Sequence, residues 1–377
     1  MVKVLICPDK FKGSLTAREA CDAVGEGLTK THRDIELKLV PLADGGDGTC
    51  GLLTEWQGGK TVKVEVSGPL FTPKTARYGI SEDESTAFIE MAEASGLTLL
   101  SPSERNPLLT TTLGTGELIA DALSRGVKNI ILGIGGSATN DAGIGMASAL
   151  GFDFVGADGE VLPPTGENLI HLRHVRTTRV HPGLRDVKVT ALCDVTNPLY
   201  GPEGAAYVYG PQKGADKAAV ELLDAGLRNF RRVVHKYMRT TVDFAGAGAA
   251  GGLGAGARVF LNARIQKGIN YLIENTRLEE AMKWADVIIT GEGKIDGQTF
   301  SGKVVSEVLR LAQKADKPVL AVCGICEVPL HELPGRGVKE VIVLADNETS
   351  IETAIQHAAE CIIRKVSAQW KDLSRFN

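Results

Sequence analysis

Short apolar segments alternate with helical segments at both ends of this chain, and this alternation limits the possible folds more than any other feature. Strands are predicted at residues 3–7, 35–42, 286–290, 318–323 and 339–344. Helices are predicted at 48–57, 268–284, 303–314 and 350–369, and the capping-box sequence Thr16–Glu19 begins another. Because parallel strands need long crossover connections, this pattern indicates an α/β fold with a mostly parallel sheet covered on both faces.

The middle of the chain follows a different pattern. Short strands are predicted at 61–66, 75–80, 86–91, 128–133 and 187–193, with helices at 115–125, 141–150 and 215–238 and an irregular stretch at 156–186. The glycine-rich run 246–256 is the strongest break in composition. We therefore expect two α/β domains with mostly parallel or mixed sheets. Residues 1–65 plus 251–377 would form a terminal domain, and residues 66–250 would form a domain inserted in it.

Composition and charge exclude several classes of protein. The chain has 377 residues, of which 43% are hydrophobic and 23% charged, as in ordinary globular proteins. A formal net charge of −4 argues against nucleic acid as the main partner. The sequence contains no apolar run long enough for a membrane helix. Seven scattered cysteines fit reduced thiols, so we expect a cytoplasmic protein.

Two lysines and a hydroxyl group follow the first predicted strand. Lys10, Lys12 and Ser14 lie in a loop that leads to a helix N-terminus, which suits an anionic group. A solvated loop between strand and helix is the alternative.

The loop Gly133–Asp141 also lies between a strand and a helix. Its residues Gly135, Gly136, Ser137 and Thr139 predict a phosphate cradle, with a tight turn or a dinucleotide fingerprint as alternatives.

Carboxylates stand among glycines in two further loops. Asp44 and Asp47 follow the second predicted strand, and Glu292 and Asp296 follow strand 286–290. Hard carboxylate oxygens suit Mg²⁺, and glycines let them approach a ligand closely. A turn with a helix cap explains one Asp and one Gly, but not this density. We expect these four residues to bind the metal from loops of the terminal domain.

Acidic groups, lysines and glycine loops are together typical of phosphoryl transfer, in which cations neutralise charge while a carboxylate accepts a proton. The chain resembles the type-1 glycerate kinase family over almost its whole length. The resemblance is carried by Pro8–Ser14 (PDKFKGS), Ala43–Thr49 (ADGGDGT), Thr111–Leu118 (TTLGTGEL), Gly133–Asp141 (GIGGSATND), Cys193–Pro198 (CDVTNP), Gly210–Ala215 (GPQKGA), Gly248–Gly252 (GAAGG) and Gly291–Thr299 (GEGKIDGQT). Two residues depart from the family pattern, Ala142 and Val305, which stand where a glycine and a proline are expected.

The resemblance implies a kinase that uses ATP and Mg²⁺ to phosphorylate D-glycerate at its 2-hydroxyl group, giving 2-phosphoglycerate. It also implies a flavodoxin-like inserted domain beside a Rossmann-like terminal domain. Since the acidic and glycine-rich loops come from both domains, we expect the active site in the cleft between them. A kinase for another small hydroxy acid, and a non-catalytic sensor of nucleotides or sugar acids, remain alternatives.

Asp194 is the predicted general base. No histidine lies in any of the motifs, so a carboxylate has to accept the proton of the attacking hydroxyl group. Asp194 stands on the inserted domain, whereas the acidic glycine loops appear in the terminal domain. Asn197 and Lys213 are predicted to bind substrate or phosphate and to orient Asp194, and Lys12 and Asp47 are further catalytic candidates. A helix-capping aspartate is the alternative for Asp194.

Overall fold

The computed structural model describes residues 1–43, 45–46, 48–300, 302–373 and 375, and it divides into two compact units. Unit 1 consists of Met1–Asp44 with Ile269–Asn377, and unit 2 is the continuous stretch Gly45–Gly268. The sequence predicts these junctions near residues 65 and 251. The difference arises because the strand Lys60–Ser67 pairs within the sheet of unit 2, and the helix Ala249–Phe260 packs on other helices of that unit.

Strands and helices alternate along most of the chain, which confirms the α/β class. The strands are β1 (Val2–Ile6), β2 (Ile35–Leu39), β3 (Lys60–Ser67), β4 (Pro73–Ile80), β5 (Thr86–Glu90), β6 (Asn129–Gly133), β7 (Asp153–Val155), β8 (His174–Arg176), β9 (Lys188–Leu192), β10 (Arg264–Gln266), β11 (Val287–Ile295), β12 (Val319–Cys326) and β13 (Val338–Val343). The helices are α1 (Ala17–Thr29), α2 (Thr49–Trp56), α3 (Ala92–Ser95), α4 (Leu113–Ser124), α5 (Ile144–Ala149), α6 (Ala205–Tyr209), α7 (Lys217–Met238), α8 (Ala249–Phe260), α9 (Gly268–Asn275), α10 (Leu278–Trp284), α11 (Val304–Lys314), α12 (Ile351–Gln356) and α13 (Ala358–Gln369). Across the described ranges, none of these helices has the length and apolar character needed to cross a bilayer.

Unit 1 is built on a fully parallel sheet with the strand order β13-β12-β11-β1-β2. Alternate residues of its central strands, such as Ile6 and Ile289, pack in one hydrophobic core with Val24 of α1 and Val366 of α13. The predicted capping box begins α1, since the Thr16 hydroxyl accepts the amide of Glu19 at 3.2 Å and the Glu19 carboxylate accepts the amide of Thr16 at 2.8 Å. Local sequence thus sets where α1 starts, and its apolar stripe sets which face is buried.

Unit 2 is built on a mixed sheet with the strand order β10-β9-β6-β5-β4-β3. The first four strands are parallel, and β4 and β3 complete the sheet as antiparallel strands. Three phenylalanines, Phe152, Phe154 and Phe230, surround the ring of Phe260 with centroid distances of 5.1, 5.4 and 6.0 Å. The irregular stretch predicted at 156–186 contains 3-10 turns and strand β8, which pairs with β7.

Candidate active site

The carboxyl ends of the parallel strands in unit 2 form one edge of the sheet. Register places Glu90 beside Gly133, Gly133 beside Leu192, and Leu192 beside Gln266, so the last residues of four strands stand in a row. The loops that follow include the predicted phosphate cradle and Asp194. Because ligands bind at this edge in open α/β sheets, this row is the first candidate site.

Two glycines of the acidic loop lie against this edge. Gly45 has a φ of 96°, and a Cβ atom built on it would lie 2.7 Å from Oδ2 of Asp194 and 2.9 Å from Cα of Gly268. A Cβ atom on Gly135 would lie 3.3 Å from Cα of Gly46. The loop therefore approaches the sheet so closely that a side chain at Gly45 would collide with it.

The position of this loop differs from the expectation in one respect. The sequence predicts the acidic glycine loop on the terminal domain and Asp194 on the inserted domain, whereas Gly45 and Gly46 belong to unit 2 together with Asp194. Asp44 and Asp47, the predicted metal ligands of this loop, lie outside the described residues.

Asp194 follows β9 as an exposed side chain. Its Oδ1 atom accepts the amide of Gly268 at 3.1 Å, which fixes the carboxylate while leaving it accessible. Asn197, predicted to bind substrate, instead donates from Nδ2 to the carbonyl oxygen of Glu203 at 2.8 Å and accepts the Tyr209 hydroxyl at 2.6 Å. These bonds brace the loop after β9, and a substrate contact by Asn197 stays a prediction.

Asp141 ends the predicted phosphate cradle and is completely buried. Its carboxylate accepts the amide and hydroxyl of Thr112 at 2.9 and 2.8 Å, and the amides of Gly143 and Gly145 at 3.1 and 3.2 Å. Burial raises the pKa of Asp141 above its ordinary value, and these four donors only partly offset that shift. All four partners donate hydrogen bonds to the Asp141 carboxylate, and this arrangement favours its ionised form. Asp141 thereby occupies two of the amides at the start of α5.

Lys213 is 2% exposed and reaches the middle of the same loop. Its ammonium group donates to Oγ of Ser137 at 2.8 Å and to the carbonyl oxygen of Thr139 at 2.7 Å. Burial lowers the pKa of Lys213 to about 7, and the Asp141 carboxylate acts in the opposite direction. The structure therefore brings three predicted site residues together, with Lys213 as the support of the loop.

Two side chains beside Lys213 carry buried polar atoms that are not satisfied. Within the part of the chain that the structure describes, Oγ1 of Thr139 and both Oδ1 and Nδ2 of Asn140 have no hydrogen-bond partner. Thr139 is 0% exposed and Asn140 is 1% exposed. Leaving such atoms unpaired costs roughly 1–3 kcal/mol each, which favours a polar occupant. The sequence analysis missed Asn140, although it lies inside the predicted cradle.

The lysine loop of unit 1 lies at the carboxyl end of its own sheet. Phe11 and Leu15 pair across a tight turn through Gly13, and the amide nitrogen of Lys12 would lie 3.0 Å from a Cβ atom on Gly293. The hydroxyl of Ser14 donates to the carbonyl oxygen of Ile355 at 2.7 Å, which ties the loop to α12. Lys12 is exposed and Lys10 is half-buried.

Glu292 and Asp296 were predicted in a loop, but β11 extends through this segment. Residues Gly291–Ile295 pair with β12, and Glu292 lies opposite Cys323. Asp296 follows the strand, and its Oδ1 atom accepts the amide of Gln298 at 2.7 Å and that of Thr299 at 3.3 Å. No cluster of three or more His, Cys, Asp or Glu side chains suited to a metal occurs within the described ranges, which omit Asp44 and Asp47.

An α/β sheet whose carboxyl edge carries a buried lysine, hydroxyl groups and a fixed carboxylate is typical of phosphoryl-transfer enzymes. Comparison with known proteins agrees, because the model of the glycerate kinase family matches residues 4–373. The chain belongs to the glycerate kinase family. It is a phosphotransferase that acts on an alcohol group.

Similar proteins cover nearly the whole chain. A glycerate kinase of Bacillus cereus is 40% identical over 98% of this chain and 98% of its own length. The glycerate 2-kinase of Escherichia coli is 40% identical over 96% of each chain. A crystal structure assigned as glycerate kinase 2 from Salmonella typhimurium LT2 superposes with a TM-score of 0.87, at 40% identity, over 97% of this chain and 96% of that one.

Proposed function

We propose that this enzyme transfers the γ-phosphoryl group of ATP to the 2-hydroxyl group of D-glycerate and releases 2-phosphoglycerate. The observation that carries the proposal is the 40% identity, over 96% of both chains, to a protein named glycerate 2-kinase. The choice of the 2-hydroxyl group depends on that name and on the family resemblance. The residues at the sheet edge of unit 2 supply the chemistry that the reaction needs.

The buried polar atoms fit an oxygen-rich phosphate group. Oγ1 of Thr139 and the amide of Asn140 offer unsatisfied donors and an acceptor, and Lys213 holds Ser137 in the same loop. Gly135 and Gly136 leave the loop without side chains that would obstruct a ligand. When bound, ATP supplies the phosphoryl group. These residues would hold its phosphates, in agreement with the cradle predicted from the sequence.

Mg²⁺ belongs to the same proposal, with Asp44, Asp47, Glu292 and Asp296 as its ligands. Glu292 and Asp296 are half-buried carboxylates near the carboxyl end of β11, and both retain oxygen atoms of the kind that Mg²⁺ prefers. The ammonium nitrogen of Lys294 lies 3.9 Å from Oδ2 of Asp296. Its positive charge would compete with Mg²⁺ for this carboxylate. The metal would neutralise phosphate charge, as in other kinases.

Asp194 is the proposed general base. It is exposed, and the amide of Gly268 fixes it. It follows β9, whose last residue pairs in register with Gly133, where the proposed phosphate loop begins. Lys10, Lys12 and Ser14 would contact the glycerate carboxylate or the transferred group. An Asp194→Asn variant keeps the shape of the side chain, so a base role predicts a kcat lowered by about 10²–10⁴ with ATP binding intact. Retention of more than a tenth of the wild-type kcat would leave Asp194 with a purely structural role.

The proposed reaction is tested by ADP release in the presence of ATP, Mg²⁺ and D-glycerate, with ³¹P NMR of the product. We expect glycerate-dependent ADP release and a phosphate ester on carbon 2. A larger kcat/KM for tartronate than for D-glycerate would instead indicate a kinase for another hydroxy acid. Nucleotide binding without any turnover would indicate a sensor.

We keep the cytoplasm as the proposed location, since all seven cysteines are free thiols.

A further inference from the structure

A carboxylate that the sequence analysis did not select stands in the row of strand ends. Glu90 is the last residue of β5, half-buried, and pairs in register with Gly133 at the last residue of β6. A Cβ atom on Gly133 would lie 3.6 Å from Cγ of Glu90 and 3.6 Å from Sγ of Cys50. Glu90 therefore occupies the same sheet edge as the proposed phosphate loop, one strand away.

Glu90 contacts the N-terminus of α2, which is distant from it in sequence. Its Oε1 atom accepts the amide of Cys50 at 2.9 Å, and Cys50 is the second residue of that helix. The N-cap residue of α2 is Gly48, which has no side chain to cap the helix. A carboxylate at a helix N-terminus satisfies an amide that the helix leaves open and interacts favourably with the helix dipole.

The helix start held by Glu90 is also the end of the acidic glycine loop. The hydroxyl of Thr49 donates to the carbonyl oxygen of Gly46 at 2.6 Å, so the loop is fastened to the first turn of α2. Gly45, at the other end of the loop, passes Asp194 so closely that a single Cβ atom would collide with the carboxylate. A small movement of α2 would therefore change the distance between the loop and Asp194.

We propose that Glu90 is a positioning residue for phosphoryl transfer, which rests on the function proposed above. Its carboxylate holds the start of α2, and through Thr49 and Gly46 it holds the acidic glycine loop against the sheet edge. The role does not require Glu90 to touch substrate. It requires that the acidic glycine loop moves when the Glu90 carboxylate no longer accepts the amide of Cys50.

The test compares three variants with the wild-type enzyme: Glu90→Ala, Glu90→Gln and the control Glu117→Ala. Glu117 is also half-buried in unit 2 and accepts a backbone amide, that of Ser67, at 2.6 Å. We expect Glu90→Ala to lower kcat by about 10²-fold, since a misplacement of roughly 1 Å has this effect on catalysis. Glu90→Gln keeps an acceptor oxygen and should restore most of that loss. Glu117→Ala should stay within about threefold of the wild type.

Hydrogen exchange supplies a readout that does not depend on activity. Peptides covering residues 45–53 should exchange at least tenfold faster in Glu90→Ala and at the wild-type rate in Glu117→Ala. Equal exchange and equal kcat in these two variants would overturn the role of Glu90. If the wild-type enzyme shows no phosphorylation of D-glycerate, the proposed function fails, whereas the exchange experiment still decides whether Glu90 holds the loop.

Discussion

Ala142 is completely buried and has a φ of 53°, in the left-handed region that costs a side chain about 1–2 kcal/mol. This is the position at which the family resemblance leads one to expect glycine. We predict that Ala142→Gly leaves the free energy of unfolding within about 1 kcal/mol of the wild type. Relief of backbone strain offsets the lost methyl group and the greater freedom of the unfolded chain.

Ala147 is the matched control for this prediction. It is equally buried but lies inside helix α5, where glycine costs about 1 kcal/mol in addition to the lost methyl contacts. Urea unfolding of both variants should therefore show Ala147→Gly as the less stable protein by more than 1 kcal/mol. Equal losses of stability would mean that Ala142 is not strained.

Lys213 makes the stability of the protein depend on pH in a defined direction. Burial lowers its pKa to about 7 in the folded protein, whereas a lysine in the unfolded chain titrates near 10.4. Between these values the unfolded chain binds more protons, so stability rises with pH from about 7 to about 10. Below pH 7 both states are protonated, and the cost of the buried charge is fully present.

The pH effect of Lys213 is measured against a Lys213→Met variant, because other groups titrate in the same range. We expect the difference in unfolding free energy to move in favour of the wild type by roughly 1 kcal/mol per pH unit between pH 7.5 and 8.5. A difference that does not change with pH would show that Lys213 keeps an ordinary pKa.

At the scale of elements, one side chain joins the starts of two helices. Thr112 is the N-cap residue of α4, and Asp141 accepts its amide and its hydroxyl as well as the amides of Gly143 and Gly145 at the start of α5. The amide of Met146 in turn donates to the Thr112 hydroxyl at 2.8 Å. The loop that includes Ser137 and Thr139 ends at this junction, so its shape depends on the junction.

Asp141→Asn should therefore destabilise the protein strongly. The NH₂ group of asparagine would face N–H or O–H groups that are themselves donors. We therefore expect a loss of about 3 kcal/mol in unfolding free energy. Asp158→Asn changes the same chemistry at an exposed position and should cost less than about 0.5 kcal/mol. A loss below 1 kcal/mol in the Asp141 variant would contradict the ionised, four-donor arrangement.

At the scale of the whole molecule, unit 2 is a continuous stretch with its own sheet and core. Its two ends meet, since a Cβ atom on Gly45 would lie 2.9 Å from Cα of Gly268. We predict that a fragment of residues 45–268 folds alone and unfolds in one cooperative urea transition, observed by circular dichroism and the fluorescence of Trp56.

A fragment of residues 66–250 is the control, because it follows the boundaries expected from the sequence. It lacks most of β3, all of β10 and most of α8, which belong to the sheet and core of unit 2. We expect it to lose cooperative unfolding. Circular dichroism compares the two fragments, because residues 66–250 do not include Trp56. Identical transitions would show that these elements are dispensable for the fold of the unit.

The sequence by itself determined most of the local elements and indicated candidate loops for the site. Short apolar runs predicted the strands at 3–7 and 128–133, and the pair Thr16 and Glu19 predicted the start of α1, because these signals depend on residues a few positions apart. The position of Asp194 after a buried strand was also evident. The same signal, an acidic residue that ends an apolar strand, could have identified Glu90.

Only the tertiary structure decided which groups meet and which are already satisfied. Glu90 lies 40 residues from its partner Cys50, Asp194 lies 74 residues from Gly268, and Lys213 lies 76 residues from Ser137. The extension of β11 through Glu292 likewise depends on pairing with β12. Hydrogen bonds and sheet pairing at such separations leave no periodicity in the sequence, because their partners are selected by the packing of whole elements.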